Sequence, residues 1–314
     1  MKRPGAWAVA IGALVVHGTL AGLAATAQPV AYITEIHQPA ASEARVKSAG
    51  QGEWKAAQAL LPLERGDQVR VSGGARVVLL YHAGGGTQTV AAGNSPFTVG
   101  APPVGGASEQ FRILAAGITE YFIAKREPPT YKRAATRSQG ALALSPRHTR
   151  LFPGDVVFEW EGSDALTYTV RVLGPEGILW EQRNLPRRPV SYPATATPLR
   201  QGVRYQWELE APGQPVERTQ FEILRDGDTT RIRNALGVVE RGTRDSYPRA
   251  TVTLMRAALL SEEGLFTEAR RELEAAVAAN REEPTLRLLL GHVYDQIGLT
   301  AKAADAFEQA RGRP

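Results

Sequence analysis

Residues 250–311, ATVTLMRAALLSEEGLFTEARRELEAAVAANREEPTLRLLLGHVYDQIGLTAKAADAFEQAR, are where this chain says the same thing twice. Laid on itself with an offset of 34, the stretch brings Ala257 onto Gly291, Leu260 onto Tyr294, Gly264 onto Gly298, Ala269 onto Ala303, Leu273 onto Phe307 and Ala276 onto Ala310. Small residues recur where two helices must approach closely, and large apolar ones recur where a seam between them is filled. A glycine recurs where the chain turns from one helix to the next. The spacing therefore predicts two helical hairpins in tandem.

In period and in residue placement the stretch resembles tetratricopeptide repeats, most completely over 284–311, with Leu290-Gly291, Tyr294, Gly298, Ala303, Phe307 and Ala310 at family positions. The first unit departs from the family at Thr253 and Arg256, which predicts a distorted or partly exposed first helix. The resemblance implies a surface for a protein partner, lined by the first helix of each unit. By position that surface comprises Leu254, Ala258, Ser261 and Glu262, then Thr285, Leu288, His292, Asp295 and Gln296. A solvated helix face is the alternative. Two units are fewer than the usual minimum of three, and Phe307 lies near the last residue with no helix after it. The end is thus expected to need a cover: the preceding domain, a second copy in self-association, or another protein.

Upstream of the repeats, 228–241 is expected to add one helix, with Ile232, Leu236 and Val239 on one face, and Asp245-Ser246 before Pro248 to cap the next.

At the other end, Lys2 and Arg3 precede an apolar run over 6–27 that closes on Ala25-Thr26-Ala27. A basic head, an apolar middle and an A-x-A exit describe a secretory signal peptide over 1–27, cleaved before Gln28. An uncleaved membrane anchor is the alternative, since the run is just long enough to span a bilayer. The chain has no cysteine, which excludes disulfides and fits a periplasmic protein held by its cores. The formal net charge of +5 includes Lys2 and Arg3, leaving +3 from Gln28 onward. That is too mild to argue for nucleic acid. At 43% hydrophobic and 22% charged residues, ordinary globular domains are expected.

Between Ala31 and Val99, apolar and polar residues alternate between glycine turns. The pattern predicts short antiparallel strands at Tyr32–Ile36, Glu43–Ser48, Gln68–Ser72, Ala75–Tyr81 and Thr87–Ala91, with hairpin turns at Gly73-Gly74 and Gly84–Gly86. Gly52-Glu53-Trp54, Leu60 to Leu63, Arg65-Gly66-Asp67, Val69-Arg70-Val71 and the run 75–80 resemble the FecR periplasmic domain. That resemblance implies a β module in the envelope over 28–100; the alternative function is a contact of this module with peptidoglycan or another glycan through an exposed aromatic, Trp54 being the candidate. Asp67 reads as a turn carboxylate capping neighbouring amides. A linker over 101–140 carries an amphipathic helix over 111–124 that would cover the first module, followed by a basic stretch over 125–137.

Residues 141–225 read as a β-sandwich. Phe158 and Trp160 point inward while Glu159 and Glu161 face water, and Tyr168, Val170 and Val172 repeat the phase. The run 199–207 resembles the tyrosine-corner stretch of fibronectin type III and immunoglobulin-like domains, with Tyr205 bonding back across its loop.

No constellation of residues carries chemistry. Glu159 and Glu161, about 7 Å apart along one strand, share a face rather than opposing each other across a substrate. His37, His82, His148 and His292 lie in different segments without a second ligand at metal spacing, and no nucleophile elbow, P-loop or dinucleotide fingerprint is present. The expectation is a multidomain chain, all-β first, then a β-sandwich, then all-α over 226–314. It is read as a noncatalytic exported adaptor or sensor scaffold that needs no cofactor or metal and binds a protein through its tail.

Overall fold

The computed structural model describes residues 29–82, 85–103, 107–129, 140–244 and 246–311. The apolar leader over 1–27 and most of the basic stretch lie outside these. Among the described residues no helix is long and apolar enough to cross a membrane.

The N-terminal strands form two four-stranded sheets. One has the order β4 (Pro62–Leu63), β1 (Ala31–His37), β6 (Arg76–Tyr81), β7 (Thr87–Val90). The other runs β3 (Lys55–Ala56), β2 (Glu43–Lys47), β5 (Gln68–Ser72), β8 (Phe97–Thr98). Their facing side chains, among them Ile33, Val46, Val69, Val71, Val77 and Leu79, make one core. The turn at Gly73-Gly74 is not a hairpin, as it passes from β5 in one sheet to β6 in the other. Both glycines have positive φ, and a side chain at Gly73 would meet the Ala41 carbonyl oxygen at 2.6 Å. The Asp67 carboxylate accepts the Ala49 and Glu64 N–H groups at 2.8 and 2.9 Å.

β1 breaks the expected alternation, because six of its seven residues are buried. One face joins the sheet core and the other is covered by helices. The first of these is α1 (Glu109–Ala124), started by Ser108, whose hydroxyl accepts the Phe111 N–H. Phe111, Ala115, Ile118 and Phe122 bury one stripe of α1 against Leu60 and Leu80 of the first module.

The middle segment has a five-stranded sheet, β10 (Thr149–Leu151), β16 (Glu217–Ile223), β15 (Arg204–Glu210), β12 (Tyr168–Gly174), β13 (Gly177–Leu185). A three-stranded sheet, β14 (Val190–Ser191), β11 (Val157–Glu161), β9 (Leu142–Ser145), accompanies it. All pairings are antiparallel except β10 with β16. Phe158 and Trp160 from one sheet share a core with Tyr168, Val170, Tyr205, Trp207 and Phe221 from the other, with the Phe158 and Trp207 rings 5.1 Å apart. The Tyr205 hydroxyl accepts the Arg200 N–H at 2.6 Å, closing the loop that leads into β15.

Five more helices follow: α2 (Asp226–Thr243), α3 (Arg249–Glu262), α4 (Phe266–Ala279), α5 (Pro284–Gln296) and α6 (Thr300–Ala310). Gly264 and Gly298 turn α3 into α4 and α5 into α6 at φ +72° and +74°, a left-handed conformation that costs glycine nothing. α3 is continuous despite Thr253 and Arg256, because the Arg256 guanidinium reaches sideways to Glu272 of α4 at 2.7 and 3.0 Å. Asp245 of its expected cap lies outside the described residues, and the N-cap position is Pro248, which makes no side-chain cap bond. Phe307 is buried, its ring over Gly291 and 4.8 Å from that of His292. The final hairpin thus covers Phe307 itself from within.

Candidate functional site

The residues expected to line a partner surface divide sharply. Leu254, Ser261, Thr285, Leu288 and His292 are buried, as is Ala258, while Asp295 is half-buried and Glu262 and Gln296 are exposed. Leu254 and Leu288 lie in one apolar cluster with the α1 stripe and with Leu60 and Leu80, so the chain itself fills most of the surface. The Ser261 hydroxyl donates back to the Ala257 carbonyl at 2.7 Å. His292 is 3% exposed, and its Nε2 has no partner among the described residues. Burial, with the Lys125 ammonium acting in the same direction, lowers its pKa to about 4, so the ring is neutral near pH 7.

Polar groups tie α3 and α5 to β1. A bulge near Thr34 turns consecutive side chains of β1 toward the helices. The Glu35 carboxylate accepts the Thr251 N–H at 2.9 Å and its hydroxyl at 2.8 Å, and so supplies the cap α3 lacks. The Thr34 and Thr251 hydroxyls lie 3.1 Å apart. In the other direction Glu283, N-cap of α5, accepts the Thr285 N–H at 3.2 Å and the Ile36 N–H at 3.0 and 3.1 Å. The second carboxylate thus closes the edge of β1 beyond its short pairing with β4. Glu283 is 7% exposed. Burial, aided by the Glu35 charge and opposed by the donated N–H groups, raises its pKa to about 7.

The middle segment meets the helices at their turns. Arg150 donates its backbone N–H to the Gly264 carbonyl at 2.8 Å and its guanidinium to that of Glu263 at 3.2 Å. Arg147 Nε donates to the Ile297 carbonyl at 2.7 Å, beside Gly298, while its Nη1 reaches Glu217 at 2.5 Å. Two arginines three residues apart, Arg147 in the β9–β10 connection and Arg150 within β10, therefore hold two turns that stand 34 residues apart. Glu159 and Glu161 do not simply face water as expected. Arg270 and Arg271 of α4 pair with Glu159, and Lys302 of α6 pairs with Glu161 at 2.7 Å. Each carboxylate already neutralises a cation.

Trp54, the candidate glycan-stacking residue, is half-buried, with the Arg70 guanidinium 4.5 Å from the ring centroid and the Lys47 ammonium 5.1 Å from it. Among the described residues no group of three His, Asp or Glu is placed to hold a metal ion.

No protein-family model matches the chain, and no curated protein is significantly similar to it. The geometry supports a multi-part framework whose helical tail is fastened to both β segments. Glu35, Glu283, Arg147 and Arg150, which do the fastening, carry no mark in the sequence. The nearest thing to one is Glu283 ahead of Pro284, an N-cap residue before a first-turn proline.

Proposed function

We propose that the protein is an exported, noncatalytic adaptor or sensor scaffold of the cell envelope. In this reading a FecR-like β module and a fibronectin type III-like sandwich are mounted on a short tetratricopeptide tail that engages a protein partner. The observation that supports it most is the double attachment of the tail, at β1 through Glu35 and Glu283 and at the sandwich through Arg147 and Arg150. A tail held in this way presents a fixed outer surface. Because the groove side of α3 and α5 is filled by β1 and α1, the partner reads the rim, where Glu262 and Gln296 occupy equivalent positions of the two units and both are exposed.

The test is co-purification from a native envelope extract with the wild-type chain and with Glu262→Lys/Gln296→Lys, both confirmed folded. A defined protein retained by the first and lost from the second supports the rim. Equal retention by both removes it. The glycan reading is weaker, because Arg70 and Lys47 already stand over Trp54. Export is tested by intact mass of the envelope-fraction protein: a chain beginning at Gln28 supports cleavage, and one beginning at Met1 in the membrane pellet supports the anchor.

A further inference from the structure

A cavity of about 400 Å³ lies between the C-terminal end of α2 and the first turns of α3, and the described residues around it are mainly cationic. Among the described residues Arg244, Arg249 and Arg256 line it against one carboxylate, Glu240, with Tyr247 and Val252 contributing apolar wall. Arg256 is engaged bidentately by Glu272. The Arg244 and Arg249 side chains are exposed and make no ion pair or hydrogen bond among the described residues. This contrasts with Arg147, Arg150, Arg171, Arg231 and Arg270, each of which meets a carboxylate. Two guanidinium forks without a partner among the described residues, at one concavity, match a dianion that presents several acceptor oxygens.

We propose that this cavity binds a phosphate monoester group, with Arg244 and Arg249 as the forks that grip it and Arg256, fixed by Glu272, as a background charge. The volume exceeds what a bare phosphate fills and is within the range of small-ligand pockets. The Tyr247 and Val252 wall would carry the organic part of the ligand. The phosphate is either free in a soluble ester or displayed on a lipid headgroup.

The test is calorimetric titration of the whole protein at low ionic strength, with inorganic phosphate and glycerol phosphate as soluble probes. Flotation with phosphatidic acid vesicles, against phosphatidylcholine vesicles, is the second arm. Saturable phosphate binding is expected, accompanied by a rise in Tm with phosphate concentration. Arg244→Ala/Arg249→Ala should weaken binding at least about tenfold, as expected for lost charge-assisted bonds. Arg281→Ala, which removes an exposed cation from the α4–α5 connection, should leave it unchanged. Arg249→Lys keeps the charge without the fork and should give an intermediate loss, which guards against a variant that misfolds. Binding to phosphatidic acid vesicles alone, abolished by the same pair, places the phosphate on a lipid. Absence of saturable binding to either probe, or equal weakening in Arg281→Ala, overturns the proposal.

Discussion

Buried single residues at the helix seams respond to pH and to volume in ways that can be signed in advance. The Glu283 carboxyl, raised to about 7 by burial, is harder to ionise in the folded chain than in the unfolded one. Its contribution is therefore fully present below the unfolded value of 4.5 and is lost as pH rises through 7. The stability of wild type minus that of Glu283→Gln should fall by about 3 kcal/mol between those limits, measured by urea unfolding across the range. His292 runs the other way. With its pKa lowered to about 4, it favours the fold above its unfolded value of 6.5 and costs stability as pH falls from there through 4. Volume is as tight at the α5–α6 contact, where a side chain added to Gly291 would meet the Phe307 ring at 2.5 Å. Gly291→Ala should lower stability by about 1–3 kcal/mol in spite of alanine's better helix propensity. At the equivalent place in the first unit Ala257 is already accommodated, and Ala257→Gly should cost about 1 kcal/mol.

At the level of elements, the helices are positioned by groups from strands and loops far away in the chain. Arg147 holds the carbonyls of Ile297 and Ala143 and the Glu217 carboxylate together, and its side chain is only 12% exposed. Arg147→Ala leaves those acceptors without a donor and should cost about 2 kcal/mol. The additional expected effect is faster amide exchange in the turn around Gly298, read by mass spectrometry, with exchange in β12 and β15 unchanged. A seam of separate, equivalent contacts would produce that local pattern. Loss of protection across all strands would mean that Arg147 holds the whole middle segment together. α3 makes the same point, since its cap comes from Glu35 in β1, 216 positions away.

For the whole molecule, the face of the first module toward the tail is the deciding feature. Leu60, Leu80, Thr34 and Glu35 are buried there, so the N-terminal sheets and the helices share a core cluster and unfold together. Calorimetry should show the first module and the tail melting in one transition. A chain stopped at Leu224 would leave that face in water, and should melt at lower temperature and associate in solution, as followed by light scattering.

How much of this was legible depends on sequence distance. Strand positions in the first module, the inward phase of Phe158 and Trp160, the Tyr205 loop and both hairpins of the tail follow from spacings of 2, 3.6 and 34 residues, which any reader of the sequence can count. The exposure of the groove residues does not follow from such spacings. Leu254, Thr285 and Leu288 have the same helical phase whether they face a partner or the chain's own β1.

What the sequence by itself determined is the β-then-α order, the bounds of five strands of the first module to within a residue or two, and the glycine turns at Gly264 and Gly298, because these depend on local torsion preferences and on the periodicity of apolar residues. What only the tertiary structure decided is which faces meet. Glu35 reaches Thr251, Glu283 reaches Ile36, Glu159 meets Arg270 and Arg271, and Arg150 reaches Gly264. A carboxylate or guanidinium in sequence looks the same in water or in a seam, and its partner is chosen by the geometry that burial of the apolar surfaces imposes.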